Sequence, residues 1–220
     1  GANSANGPRI RKVDTNGQMT TIAGAGTAFV EGAPAINVKL GNYSTTSDMA
    51  IDGAGNLYFV RRNETPAVGY GKNSVCKITP GGVVTTVAGG GTVLPGDTGA
   101  IVATTAKLDS MYGLPFTVDS AGNLYLWDGT TQASGGANSA DGPRIRKVDT
   151  NGQMTTIAGT GSAFVEGAPA MNVKLGNSGS GSEMAIDGAG NLFFAAYVSG
   201  RHSVCRISPS GMVTTVAGGG

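Results

Sequence analysis

MAIDGAGNLYF, residues Met49–Phe59, carries the pattern from which the fold follows. A short apolar run meets a turn rich in Gly, Asp and Asn, and an aromatic run follows. That is the pattern of a β-hairpin. Gly supplies positive φ without steric cost, while Asp and Asn hydrogen-bond their own turn backbone. The pattern returns as FTVDSAGNLYL, Phe116–Leu126, and as MAIDGAGNLFF, Met184–Phe194. The aspartates Asp52, Asp119 and Asp187 are 67 and 68 residues apart.

Outward from these hairpins lies a second pattern, present four times. RIRKVDTNG (Arg9–Gly17) leads into MTTIAG (Met19–Gly24), and SVCKITPGG (Ser74–Gly82) leads into VTTVAG (Val84–Gly89). Arg144–Gly159 and Ser203–Gly218 repeat it. Naming the strands of the first pattern a and b, and those of the second c and d, the chain reads c-d and then abcd three times. That makes fourteen candidate strands. No window sustains a 3.6-residue period for more than about two turns, so helix is marginal. At larger scale Gly1–Asn42 and Gly136–Asn177 differ at only four of 42 positions: Asn6/Asp141, Ala25/Thr160, Thr27/Ser162 and Ile36/Met171. Such repetition means one supersecondary unit stacked on itself.

Four short antiparallel strands, iterated, predict the blades of an all-β β-propeller. The expected layout over residues 1–220 is a single domain, with a half blade at 1–24 and blades at about 49–90, 116–159 and 184–220. The a-b half of the first blade is missing, about 45 residues by analogy with Thr92–Ser134. Either the chain is an excerpt of a longer repeat protein or another chain supplies those strands. The duplicated two-blade unit favours an even-bladed ring, with four blades as the minimum. An unpaired edge is otherwise an aggregation hazard.

The strings IDGAGNLYFV, PRIRKVDTNGQMTTIAG and VDSAGNLYLWD resemble bacterial NHL-repeat β-propellers, and the resemblance runs over nearly the whole chain. It implies a propeller, and a short helical turn before each inner strand, within Gly32–Leu40, Gly99–Leu108 and Gly167–Leu175. Propellers similar to this one include a zinc-dependent peptide lyase and metal-dependent lactonases. Fold alone does not assign a job, because one scaffold hosts many.

Composition narrows the classes. The net charge is +1 and 13% of residues are charged, which disfavours electrostatic binding to nucleic acid or anionic membrane. No run approaches the roughly 18 apolar residues of a membrane span. The opening GANSANGP has neither a basic nor an apolar leader region, so no signal peptide is read there. Low charge with abundant Gly, Thr, Ser and Asn points to a secreted or cell-surface protein. Cys76 and Cys205 occupy one position of strand c in alternate blades, where the other copies carry Arg11 and Arg146. Equivalent sites in non-adjacent blades lie beyond the ~7 Å Cα limit for a disulfide, so both are expected as buried free thiols.

Loop length places the expected site. The a-b and c-d turns are minimal and share one face. The b-c connections (about 61–73, 128–142 and 196–202) and the d-a connections (about 25–48, 90–115 and 160–183) share the other. Function concentrates on long loops carried by a rigid scaffold. The expected contacts there are Arg61, Arg62, Trp127, Asp128, Arg201 and His202, with Glu64 and Tyr70 in the most irregular loop. Trp127 either stacks on a sugar or peptide or fills a blade interface. Leu40, Leu108 and Leu175 plug the blade tops. Lys39, Lys107 and Lys174 either form a basic rim or cover apolar surface. The turn aspartates read as hairpin caps, since a calcium site needs six to eight converging oxygens. The threonine pairs from Thr20-Thr21 to Thr214-Thr215 read as strand residues rather than a glycan- or ice-binding array.

The expected function is a non-enzymatic scaffold presenting its long-loop face to a protein, peptide or glycan. A structural module of a larger cell-surface assembly is the alternative, and self-assembly or strand completion by another chain goes with it. A metal-dependent lyase or lactonase ranks below both. A zinc site needs several converging imidazole or carboxylate ligands, and the chain has one histidine, His202. No metal or other cofactor is expected.

Overall fold

The computed structural model describes residues 7–41, 49–62, 73–108, 114–129, 142–176, 183–198 and 200–219. It is all-β, with 47% strand and 5% helix. The first sheet is the hairpin β1 (Ile10–Val13) and β2 (Met19–Ala23). The second joins β3 (Met49–Ile51), β4 (Leu57–Arg62), β5 (Asn73–Ile78) and β6 (Val84–Gly89) in order. The third contains β7 (Ile101–Val102), β8 (Phe116–Val118), β9 (Leu124–Asp128), β10 (Arg144–Val148) and β11 (Gln153–Ala158), ordered β7-β11-β10-β9-β8. The fourth joins β12 (Met184–Ile186), β13 (Leu192–Val198), β14 (Arg201–Ile207) and β15 (Val213–Gly218). Every ladder is antiparallel. The described residues do not form a closed ring.

The hairpins form for the reasons written in their turns. Asp52 Oδ1 accepts from the Ala54 and Asn56 N–H groups at 3.0 and 2.9 Å, and Oδ2 accepts from the Asn56 amide at 2.7 Å. Asp119 and Asp187 repeat the bond to the Asn side chain at 2.7 and 2.8 Å. These aspartates are hairpin caps. In the c-d turns Asp14 and Asp149 cap in the same way. Each c-d ladder carries a register shift at one equivalent place, between Ile10/Arg11, Val75/Cys76, Ile145/Arg146 and Val204/Cys205.

Strand alternation sends successive side chains to opposite sheet faces, and the facing sides of successive sheets pack together. Phe59, Cys76, Ile78 and Val84 meet Ala23, Val38 and Leu40 between the first two sheets. Tyr58, Val75 and Ala88 meet Leu124, Leu126, Val148 and Met154 between the second and third. Trp127, Ile145 and Ala158 meet Leu192, Phe194 and Cys205 between the third and fourth. The core is therefore three slabs between successive sheets. Leu40, Leu108 and Leu175 are buried in them, one per slab. The inner strands β3, β8 and β12 pack side by side.

The d-a connectors lock neighbouring sheets together. Each contains one 3-10 turn, Ala35–Asn37, Ala103–Thr105 or Ala170–Asn172, at the place the resemblance implies. The Gly24 N–H donates to the Ala35 carbonyl at 3.1 Å, tying the connector to the sheet behind it. Ala35 N–H in turn donates to Gly82 O at 2.6 Å, in the sheet ahead. In the second, third and fourth sheets strand d is thus not outermost: the connector pairs along it, as β7 does on β11 and as the Pro34–Val83 and Pro169–Met212 bridges do elsewhere. At Gly91 the chain crosses the Thr105 carbonyl so closely that a Cβ would overlap it, and Gly26 and Gly161 repeat the crossing.

Candidate functional site

The six residues expected at the site fall on three sheets, Arg61 and Arg62 in β4, Trp127 and Asp128 in β9, and Arg201 and His202 in β14. Trp127 is 5% exposed and its ring lies 5.9 Å from Phe194, between the third and fourth sheets. It fills a sheet interface and offers no open face for stacking on a ligand. Asp128 is 1% exposed and bonds the Arg146 guanidinium at 3.0 Å. Arg61 stands in β4 with its guanidinium 3.9 Å from the Phe29 ring centre. Arg62 pairs in register with Asn73 at the end of the same strand. Arg201 and His202 are exposed, but the connection at 196–202 is not a long loop. β13 and β14 run on until Val198 pairs with Arg201. There His202 packs edge-on to Tyr197 at 5.0 Å, and Arg201 donates to the Gly219 carbonyl at 3.0 Å. Glu64 and Tyr70 lie outside the described residues.

The register explains what these positions do. Arg61, Asp128 and Ala196 are equivalent, as are Ser74, Arg144 and Ser203, and Cys76, Arg146 and Cys205. One row of side chains thus crosses each sheet on the same face and ends at Thr86, Thr156 or Thr215. In the second sheet Glu31 of the connector clamps Thr86, accepting from its N–H at 2.7 Å and its hydroxyl at 2.8 Å. Glu166 clamps Thr215 likewise at 2.8 and 3.0 Å. The third sheet uses arginines in place of this clamp. Arg144 is fully buried and holds Asp97 with two bonds, 2.7 and 2.9 Å. Arg146, also fully buried, bonds Asp128, Thr156 and the carbonyls of Gly96 and Pro95. Buried cations persist only where donors are satisfied and charges paired, and this socket does both. Arg144 holds the Asp97 carboxyl below its ordinary value, against the smaller effect of burial.

Sequence reading singled out Asp128 and the Arg/Cys alternation but missed Asp97. Its signal is the Pro95-Gly96-Asp97 insertion, which only the middle connector carries. Cys76 and Cys205 are buried and free. Burial pushes the Cys76 thiol up to about 11 and also raises Cys205.

A concavity lies on the other face, among the short turns. A cleft of about 420 Å³ separates the second and third sheets, a volume in the range of small-ligand sites. One wall is Asp52, Tyr58, Lys77 and Thr85; the other brings Thr104, Thr150 and Asn151. Some residues of this face are committed to backbone geometry and others are not. Asp52 is committed: hydrogen bonds from Asn56, Tyr58 and Ala54 outweigh the burial that alone would raise it, and keep its carboxyl low. Lys77, Thr104, Thr150 and Asn151 line open space. Positions equivalent to the last three are Met171, Pro209 and Ser210 one sheet on, and Ile36, Pro80 and Gly81 one sheet back. The framework repeats around this cleft while these three lining positions do not.

Among the described residues no group of three or more His, Cys, Asp or Glu side chains is placed to hold a metal ion. No helix among them is long and apolar enough to cross a membrane. No protein-family model and no curated protein matches the chain.

Proposed function

We propose that this chain is a non-enzymatic binding scaffold of NHL-like propeller type, working outside the cell or at its surface, and that the cleft between its second and third sheets takes a glycan. The observation that carries the reading is the cleft's lining. Hydroxyl and amide groups at Thr104, Thr150 and Asn151 stand where the two equivalent places carry Ile36, Pro80 and Gly81 or Met171, Pro209 and Ser210. Hydroxyls and amides that both donate and accept suit a polyhydroxylated ligand. Side-by-side inner strands β3, β8 and β12 support the radial arrangement.

The test is an NMR titration with a panel of mono- and disaccharides and short peptides. Thr104→Met imports the residue of the next connector and fills the cleft, so saccharide affinity should fall at least tenfold with unfolding unchanged. If Arg201→Ala or His202→Ala abolishes binding and Thr104→Met does not, the ligand belongs to the long-loop face and the cleft reading fails.

A further inference from the structure

Residues 8–24 and 143–159 are identical in sequence, PRIRKVDTNGQMTTIAG, and fold into the same hairpin with the same register shift. Their surroundings differ. In the third sheet β9 lies against β10, β7 lies against β11, and Arg144, Arg146, Ile145, Val148 and Met154 are all buried. In the first sheet Val13 is 57% and Met19 60% exposed, and Arg9 and Arg11 are also exposed. Nothing among the described residues pairs with the outer edge of β1. One sequence thus appears once in a complete socket and once in half of it.

We propose that the open edge of β1 is a docking site for a second polypeptide segment, an antiparallel strand pair whose second strand ends in aspartate and whose connector carries another carboxylate. The chemistry is set by the complete copy. β9 places Asp128 opposite Arg144 in register and bonds Arg146, while the connector brings Asp97 to Arg144 and the Pro95 and Gly96 carbonyls to Arg146. The half socket already holds the remaining partners, since Gly7, Gly24 and Thr21 match Gly142, Gly159 and Thr156. What it lacks is the acidic half. An unpaired strand edge recruits a strand by backbone hydrogen bonds, and flanking side chains set which one. Arg9 and Arg11 favour a segment whose carboxylates satisfy both guanidiniums. The matching stretch within these residues, 116–128, is already bonded to β10, so the occupant is a different segment. This site is independent of the cleft.

The test adds a synthetic peptide of residues 92–129 to the whole chain and reads binding by calorimetry and by NMR of the Ile10–Val13 amides. One-to-one binding that protects those amides is expected. Asp97→Asn with Asp128→Asn in the peptide, or Arg9→Met with Arg11→Met in the chain, should each weaken it at least tenfold. Both arginines are exposed, so the chain variant should keep its circular dichroism; the peptide variants decide the matter if it does not. Equal binding by all variants, protection elsewhere than β1, or a chain that closes its own edge by dimerising so that peptide adds nothing would overturn the proposal.

Discussion

Arg146 occupies a fully buried site in which Asp128, Thr156 and two carbonyls take up its donors. Removing one partner of a buried pair leaves the other uncompensated and costs about 3–5 kcal/mol. Arg146→Cys, the residue of the sheets on either side, should therefore lower urea-unfolding stability by that order. Adding Asp128→Ala should recover most of it; a double variant no better than the single would mean the arginine acts through packing alone. Asp97 contributes with a definite sign. Arg144 depresses its folded pKa, so its contribution is full above the unfolded value of about 4 and lost as pH falls below it. Asp97→Asn should flatten the acid limb of stability measured between about pH 5 and 2. Asp128 differs in sequence from Arg61 and Ala196 at the equivalent positions, but such a difference names no partner. The separation of 47 positions from Asp97 to Arg144 is bridged only by the fold. Trp127 stood out in the same way, and only its contact with Phe194 separates a packed ring from a binding one.

Elements were more legible than contacts. The Asp-x-x-x-Asn turns gave the hairpins because the turn chemistry is local, complete within five residues. The connection at 196–202 was misjudged because strand length there depends on ladder pairing out to Val198 and Arg201, which no local signal announces. Connector strands such as β7 were missed for a related reason: two residues that pair with a strand some fifty positions away carry no period. The hairpins also set a titration. Burial, the charge of Asp119 and its 3.3 Å hydrogen bond push the Tyr125 phenol up to about 12. Asp119→Asn removes the charge but not the burial, so ultraviolet titration should show the phenol falling toward the ordinary value of about 10 without reaching it. No change would mean burial alone holds it. At the connectors Gly91→Ala should unfold at lower urea than the parent, since a Cβ there meets backbone that cannot yield. Cys76 and Cys205 should titrate as two thiols in denaturant and react slowly when folded, because burial disfavours the thiolate.

For the whole molecule, sheets stacked face to face and stitched by connectors make each sheet's stability depend on its neighbours. Such chains behave as near-neighbour arrays in which a unit with a missing contact opens first. The duplicated hairpin measures this directly, because 8–24 and 143–159 share their sequence and hence their intrinsic propensity and unstructured exchange rate. Any difference in amide protection between them comes from packing. β10 and β11 have strands on both edges, whereas β1 and β2 have only each other and leave Val13 and Met19 exposed. A two-stranded hairpin is marginal by itself, and the packing of Ala23 under Leu40 anchors only one end. Hydrogen exchange should therefore be faster at Arg11 and Val13 than at Arg146 and Val148, by at least tenfold, with β10 exchanging near the global rate. Assigned NMR amides are needed, since fragments of identical mass cannot separate the copies. Equal protection in both copies would show that the edge of β1 is covered in solution by the chain itself, and the open half socket would then not exist.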